Sequence, residues 1–265
     1  MPRLFPEMRE IFFDDDTFTA DPARARRIAQ LMKPLGLCWS TNARANVDRE
    51  TLKILKDSGL RLFVVGYESG NDQILKNIRK GVSTERARRF TKDCHELGIL
   101  IHGTFIVGLP GETKETIEES IRFARELNPE TIQVSLASPY PGTHFYQYVQ
   151  DHGFLVEEVY NDEAGYQRCT VSYPGLSAEE IFDAVERFYR RYYFRPTYVF
   201  KKLKQMARSR EERKRLLREA GEFFRTMRRR RAERGKSNGA ARPGSTPTHT
   251  PPRPPQPETS PSAVS

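Results

Sequence analysis

From residue 10 to residue 137, short apolar or β-branched runs alternate with stretches of helical periodicity. The runs are 10–14 (EIFFD), 36–41 (GLCWST), 61–66 (RLFVVG), 100–107 (LIHGTFIV) and 131–137 (TIQVSLA). Each has the length of a strand, and the amphipathic stretches 22–34, 48–58, 84–97 and 113–127 between them have the length of helices. Asp21-Pro22 and Ser83-Thr84-Glu85 supply N-caps, while Gly36, Gly59 and Gly98 fall where helices should stop. Strands separated by crossover helices predict right-handed βαβ units and a parallel sheet, hence the α/β class. The first strand comes with no helix ahead of it, so the pattern predicts a barrel or half-barrel whose first βα unit is missing.

After Ala137 the pattern changes to a turn-rich segment, Ser138-Pro139-Tyr140-Pro141-Gly142-Thr143, and a short helix near 144–152. Residues 154–176 read as irregular, and two or three helices are expected over 177–231, broken at Pro196. The expected division is a partial barrel over 1–142, a basic helical region over 143–231 and a disordered tail over 232–265, with no internal repeat. The tail has Val264 as its sole sizeable aliphatic residue and cannot bury enough apolar surface to offset ordering.

Composition narrows the picture. Hydrophobic residues make up 37% of the 265 and charged residues 30%, the apolar deficit lying in the tail. No apolar run reaches the roughly 18 residues of a membrane span, and residues 1–9 lack the apolar region of a signal peptide. Three cysteines, Cys38, Cys94 and Cys169, are far apart and odd in number, which suits a reducing cytoplasm. The net charge of +9 is split: residues 1–185 hold 22 Lys and Arg against 28 Asp and Glu, whereas 186–231 hold 18 against 5. Such asymmetry fits contact with an anionic surface, with a solvated helix face as the plainer alternative.

In parallel α/β architectures ligands bind at the carboxyl ends of the strands. Those ends are polar here: Asp14-Asp15-Asp16, Asn42 with Arg44, Glu68-Ser69, Gly108 through Glu112, and Ser138-Pro139-Tyr140. Glycines let backbone approach a flat ligand, carboxylates suit an ammonium or ribose hydroxyls, and a guanidinium suits a carboxylate. A zwitterionic, nucleoside-bearing ligand matches that set, and S-adenosylmethionine is one.

The strings FFDDDTF (12–18), GYESG (66–70), IVGLPGET (106–113) and PYPGT (139–143) resemble the radical SAM superfamily over about residues 5–200. Within it they are similar to the branch in which a cobalamin-binding domain precedes the radical SAM domain, and there to members acting in hopanoid biosynthesis. The resemblance implies a partial (β/α)6 radical-SAM-type barrel. It implies Asp14, Asp15 and Asp16 near the methionyl amino group, and Arg44 with Asn42 near the methionyl carboxylate. Glu68 and Ser69 would lie near the ribose. Ile106, Gly108 and Glu112 would shape the adenine site, Glu112 by ordering its turn, and Ala137, Pro139 and Tyr140 would offer a backbone contact to adenine. A [4Fe–4S] cluster and cobalamin are further implied cofactors.

The superfamily's CxxxCxxC element has no counterpart here. Each cysteine reads as a small hydrophobe, Cys38 within a strand and Cys94 within a helix. No His spacing suggests a metal pair. His95 is expected at the surface, His102 in the cavity or as a satisfied core histidine, and His144 and His152 beside the substrate side. The expectation is therefore the C-terminal part of a radical SAM enzyme binding S-adenosylmethionine and a hopanoid side chain, inactive by itself, its N-terminal portion lost by truncation, gene splitting or a misplaced start. The alternatives are another cobalamin-type methyltransferase or cyclase, or a non-catalytic membrane-associated remnant. Aromatic and aliphatic residues interleaved with Lys and Arg over 186–231 predict an interfacial surface for anionic lipid, with a cytoplasmic protein peripheral at the inner membrane face. A helix packed on the barrel is the plainer reading, and no motif supports nucleic-acid binding.

Overall fold

The five strands are all parallel and lie side by side in chain order. The computed structural model describes residues 5, 7–163, 165, 167–200, 202, 218, 221 and 225. Its strands are β1 (Ile11–Phe13), β2 (Trp39–Ala43), β3 (Leu60–Glu68), β4 (Leu100–Val107) and β5 (Thr131–Leu136). The helices are α1 (Pro22–Met32), α2 (Arg49–Asp57), α3 (Asp72–Asn77), α4 (Thr84–Glu96), α5 (Lys114–Leu127), α6 (His144–Asp151) and α7 (Ala178–Tyr193). The capping signals operate as the sequence predicts: Asp21 accepts from Ala23 N and Arg24 N, and Ser83 accepts from Arg86 N.

Two elements differ from expectation. The strand expected over 36–41 starts at Trp39, so Cys38 precedes β2 rather than lying within it. Trp39 sets that start, because its ring is fully buried and its Nε1–H donates to Ser58 O. Helix α3 was not anticipated. It spans six residues, too short for periodicity to show, and Asn71 caps it through Gln73 N and Ile74 N. Among the described residues of 154–176, the pairing consists of isolated bridges, Leu155 with Val171, Asn161 with Gln167, and Tyr173 with Leu176.

Right-handed crossovers between neighbouring strands put successive helices on one side of the sheet. Phe63, Val65, Tyr67, Ile101, Phe105 and Val107 are buried on that side and form the core with α2, α4, α5 and α7. The alternate residues of β3 and β4, including Val64, Gly66, His102, Thr104 and Ile106, stay half-exposed on the other side. The result is one packed face, one open face and a top edge where the strands end.

The described residues up to Lys202 pack as one unit. Helix α7 inserts Phe188 and Tyr192 into the core. Its Tyr193 hydroxyl accepts from Ile132 N at 2.9 Å, and its Tyr189 hydroxyl accepts from Val134 N at 2.9 Å. Gln167 accepts from Leu136 N, so alternate amides on the outer edge of β5 have side-chain partners. Part of the basic stretch expected at an interface is consumed here. Arg187 and Arg191 both pair with Glu118, and Arg195 is 7% exposed, stacked on Tyr192 at 4.1 Å. The chain resumes helix over 196–200, after the expected break. Nearly all of the basic stretch beyond residue 200, and the whole tail 232–265, lie outside the described residues.

Candidate functional site

Register brings the carboxyl ends of the strands to one edge. Asn42 lies opposite Val64, Glu68 opposite Phe105, Ile106 opposite Ser135 and Val107 opposite Leu136. The polar segments picked from sequence are thus gathered along the top of the sheet, although not all of their side chains are available there.

The polar residues at the strand ends differ in the partners they already hold. Asp15 pairs with Arg24 of α1 at 3.1 Å, and Asn42 Nδ2 donates to the Asp15 carbonyl, tying the first two strand ends together. Asp14, Asp16 and Arg44 are exposed. Glu68 accepts from Lys80 Nζ at 2.6 Å, with side chains only 15% and 19% exposed. Ser69, expected near the ribose, has its side chain turned to partners inside the protein. It is fully buried, its hydroxyl is bonded to Ser120 of α5 and to Asn71 N, and so it joins α3 and α5 beneath the rim.

The turn from Gly108 to Glu112 is held from within. Glu112 Oε2 accepts from Gly108 N at 2.6 Å and Leu109 N at 3.1 Å, while Oε1 has no partner. Burial pushes its carboxyl up to about 7, against the two amide donors that favour the charged form. Tyr173 donates to Gly108 O at 2.8 Å, and Asn77 of α3 donates to Pro110 O at 2.9 Å. Gly108 is favoured here: its φ is +88°, and a Cβ would sit 3.1 Å from Ile181 Cγ2. Leu109, Ala137 and Ile74 form a small apolar cluster with Ile106 against it. Pro139 is buried and its carbonyl accepts from Tyr160 at 2.6 Å, and exposed Tyr140 packs on the Tyr160 ring at 4.8 Å.

At this edge Ile106 is half-exposed with buried Leu109 and Ala137 packed behind it, and Glu68 lies opposite Phe105, the residue before Ile106. Sequence reading missed Lys80, Asn77, Tyr160 and Tyr173. Only the three-dimensional path of α3 and of 155–176 carries them to the rim, and no local pattern marks them.

The histidines divide. His95, His144 and His152 are exposed, and His152 Nδ1 contacts Tyr148 O. His102 lies in the half-exposed row of β4, its Nδ1 2.7 Å from Thr131 Oγ1, and burial lowers its pKa. A [4Fe–4S] cluster does not fit the three cysteines. Cys38 precedes β2, Cys94 is fully buried in α4, and Cys169 lies on the irregular segment with its thiol pushed up to about 11 by burial. A cluster needs grouped, accessible thiolates. Among the described residues, no group of three or more His, Cys, Asp or Glu is placed to hold a metal ion. No described helix is long and apolar enough to cross a membrane.

Residues 4–124 match the radical SAM superfamily. An uncharacterized methyltransferase of Pyrococcus horikoshii is 31% identical over 202 residues, covering 73% of this chain and 43% of that protein. A cytidylyl-2-hydroxyethylphosphonate methyltransferase of Streptomyces wedmorensis is 30% identical over 192 residues, covering 68% of this chain and 36% of that protein. The chain therefore spans about two fifths of the length of these relatives. Among solved structures, the radical S-adenosylmethionine methyltransferase TsrM of Kitasatospora setae, with tryptophan and an S-adenosylmethionine analogue bound, superposes with a TM-score of 0.59. That match has 19% identity and covers 72% of this chain and 44% of that one. Coproporphyrinogen III oxidase of Escherichia coli, described as a radical SAM enzyme, gives 0.52 at 15% identity, covering 69% and 41%. At these identities the structures speak for a shared fold.

Proposed function

Because this chain belongs to the radical SAM superfamily through residues 4–124, we propose that it is the S-adenosylmethionine- and substrate-binding part of a cobalamin-type radical SAM enzyme, one that transfers a methyl group or closes a ring. The observation that carries the reading is the top edge of the sheet. There Glu68 ends β3 opposite Phe105 of β4, half-exposed Ile106 follows with Leu109 and Ala137 packed behind it, and the Gly108 turn held by Glu112 closes the strand end. A ribose needs hydroxyl acceptors and an adenine needs a flat apolar wall with backbone edges, so the two halves of a nucleoside have matching surfaces. Arg44, exposed at the end of β2, supplies a cation for a carboxylate.

In this superfamily reductive cleavage of S-adenosylmethionine is supplied by the [4Fe–4S] cluster, and this chain's residues bind, orient and shield. The cysteine positions support the reading that the cluster-ligating element is not among these residues and that the chain alone is inactive. Anaerobic incubation with iron and sulfide is then expected to give no stable cluster absorbance. Stoichiometric incorporation that vanishes when Cys38, Cys94 and Cys169 are replaced would overturn that part. The finer reading, action on a hopanoid side chain, is supported by motif resemblance, and a lipid substrate would accord with anionic membrane contact through 186–231 at a cytoplasmic membrane face.

Calorimetric titration with S-adenosylmethionine tests the nucleotide site. Binding is expected, and Glu68→Ala should weaken it by about 1.5–3 kcal/mol, the worth of a charge-assisted contact. A wild-type chain that is folded yet binds nothing, or binding indifferent to Glu68→Ala, would sink the assignment.

A further inference from the structure

Lys80 lies twelve residues beyond Glu68 in the turn between α3 and α4, yet its ammonium reaches the Glu68 carboxylate at 2.6 Å. With side chains 19% and 15% exposed, this is the least exposed ion pair among the described residues. Three features fix it. Lys80 N donates to Leu75 O, anchoring the turn to α3. Glu68 has a φ of +64°, a left-handed conformation for a non-glycine residue, which persists only where the surroundings impose it. Gly66 leaves the space for the pair: a Cβ there would lie 2.3 Å from Glu68 Oε1 and 2.9 Å from Lys80 Nζ.

The pair is asymmetric. Glu68 Oε1 is taken by Lys80, whereas Oε2 has no hydrogen bond among the described residues. A carboxylate free to rotate would offer a hydroxyl ligand either oxygen in many orientations. Held at one oxygen, it presents the other at a set place, and the ordering entropy is spent on folding rather than on binding.

We propose that Lys80 is the positioning residue of Glu68, and that Gly66, Glu68 and Lys80 together form a preset acceptor for hydroxyl donors of the bound ligand. Lys80 acts through the carboxylate and need not touch the ligand. This rests on the nucleoside reading above and adds to it a residue that neither the motif resemblance nor the sequence pattern marks.

A double-mutant cycle read by calorimetry with S-adenosylmethionine as the probe decides the matter. Lys80→Met should lower affinity on the order of tenfold, and Lys80→Arg should restore most of it, because a guanidinium still reaches Oε1. In a Glu68→Gln background Lys80→Met should add less than about twofold, because the group it positions is already neutral. Denaturation midpoints of all the variants verify folding. Should Lys80→Met fail to fold, the comparison passes to Lys80→Arg and Lys80→Gln. Equal affinity of the wild type and the lysine variants overturns the proposal. So does a full additive loss in the Glu68→Gln background, which would mean that Lys80 acts independently of Glu68. Absence of binding by the folded wild type overturns the nucleoside reading itself, and is recognisable because it precedes any effect of substitution.

Discussion

At the scale of single residues, Glu112 is the titrating group with the clearest consequence. Its carboxyl is buried, one oxygen accepts two backbone amides and the other has no partner. Burial raises the folded-state pKa from the ordinary 4.5 to about 7. Below pH 4.5 the carboxyl is protonated whether the chain is folded or unfolded, and burial costs nothing through this group. As pH climbs from 4.5 to 7, the unfolded chain releases the proton and the folded one keeps it, so stability falls. The loss over that window is about 3 kcal/mol, since each tenfold change in proton activity is worth about 1.4 kcal/mol. Glu112→Gln keeps the shape but has no proton to lose. Urea midpoints measured from pH 4.5 to 8 should therefore fall less steeply for the variant than for the wild type. Parallel curves would refute the assignment.

At the scale of elements, the outer edge of β5 and the end of α5 are both finished by side chains from the α7 region. Tyr193 and Tyr189 stand where a sixth strand would pair, accepting from Ile132 N and Val134 N. Phenylalanine at either position keeps the ring and removes the acceptor, leaving a backbone amide unsatisfied. Each variant should lose roughly 1–3 kcal/mol. Amide exchange at Ile132 should quicken in Tyr193→Phe and at Val134 in Tyr189→Phe, and unchanged exchange would show that the hydroxyls do not protect this edge. At the end of α5, Arg195 donates to the Arg125 carbonyl and to Asn128 Oδ1, a cation at the negative end of a helix. Arg195→Ala should cost about 2 kcal/mol or more in chemical denaturation, since the site is buried and two acceptors lose their donor. Arg190→Ala, on the exposed side of α7, should be near neutral.

At the scale of the whole molecule, the separation of charge remains the feature that the fold only partly absorbs. Arg187, Arg191 and Arg195 are engaged within the protein, while Phe194, Val199 and Phe200 are exposed. If the basic stretch contacts anionic lipid, the full chain should sediment with anionic vesicles at low salt. It should be released as salt shortens the Debye length from about 10 Å at 0.1 M to about 3 Å at 1 M. Replacing Arg228–Arg231 with glutamine should reduce pelleting while leaving the denaturation midpoint in place. No pelleting with anionic vesicles at low salt would end the membrane reading.

How far the fold was legible follows from how local its causes are. Alternation of apolar runs, capping residues such as Asp21 and Ser83, and glycines after helices act within a few residues. They sufficed for five of the helices, α1, α2, α4, α5 and α6, and for strands whose ends lie within three residues of those observed. The ordering of the Gly108 turn by Glu112, which the motif resemblance implies, likewise rests on local contacts, since carboxylate and amides are four residues apart or fewer. Helix α3 escaped because six residues hold too little periodicity, and Trp39 moved the start of β2 through a bond to Ser58. Which polar residues remain available at the rim was decided by tertiary structure alone. The Ser69 hydroxyl is bonded to Ser120, Asp15 is engaged by Arg24, and Lys80 is brought to Glu68 by the return of the chain after α3. Sequence determines which side chains stand at the strand ends because that depends on chain order. Only packing determines which of them have found partners already, because those partners come from 9 to 51 residues away.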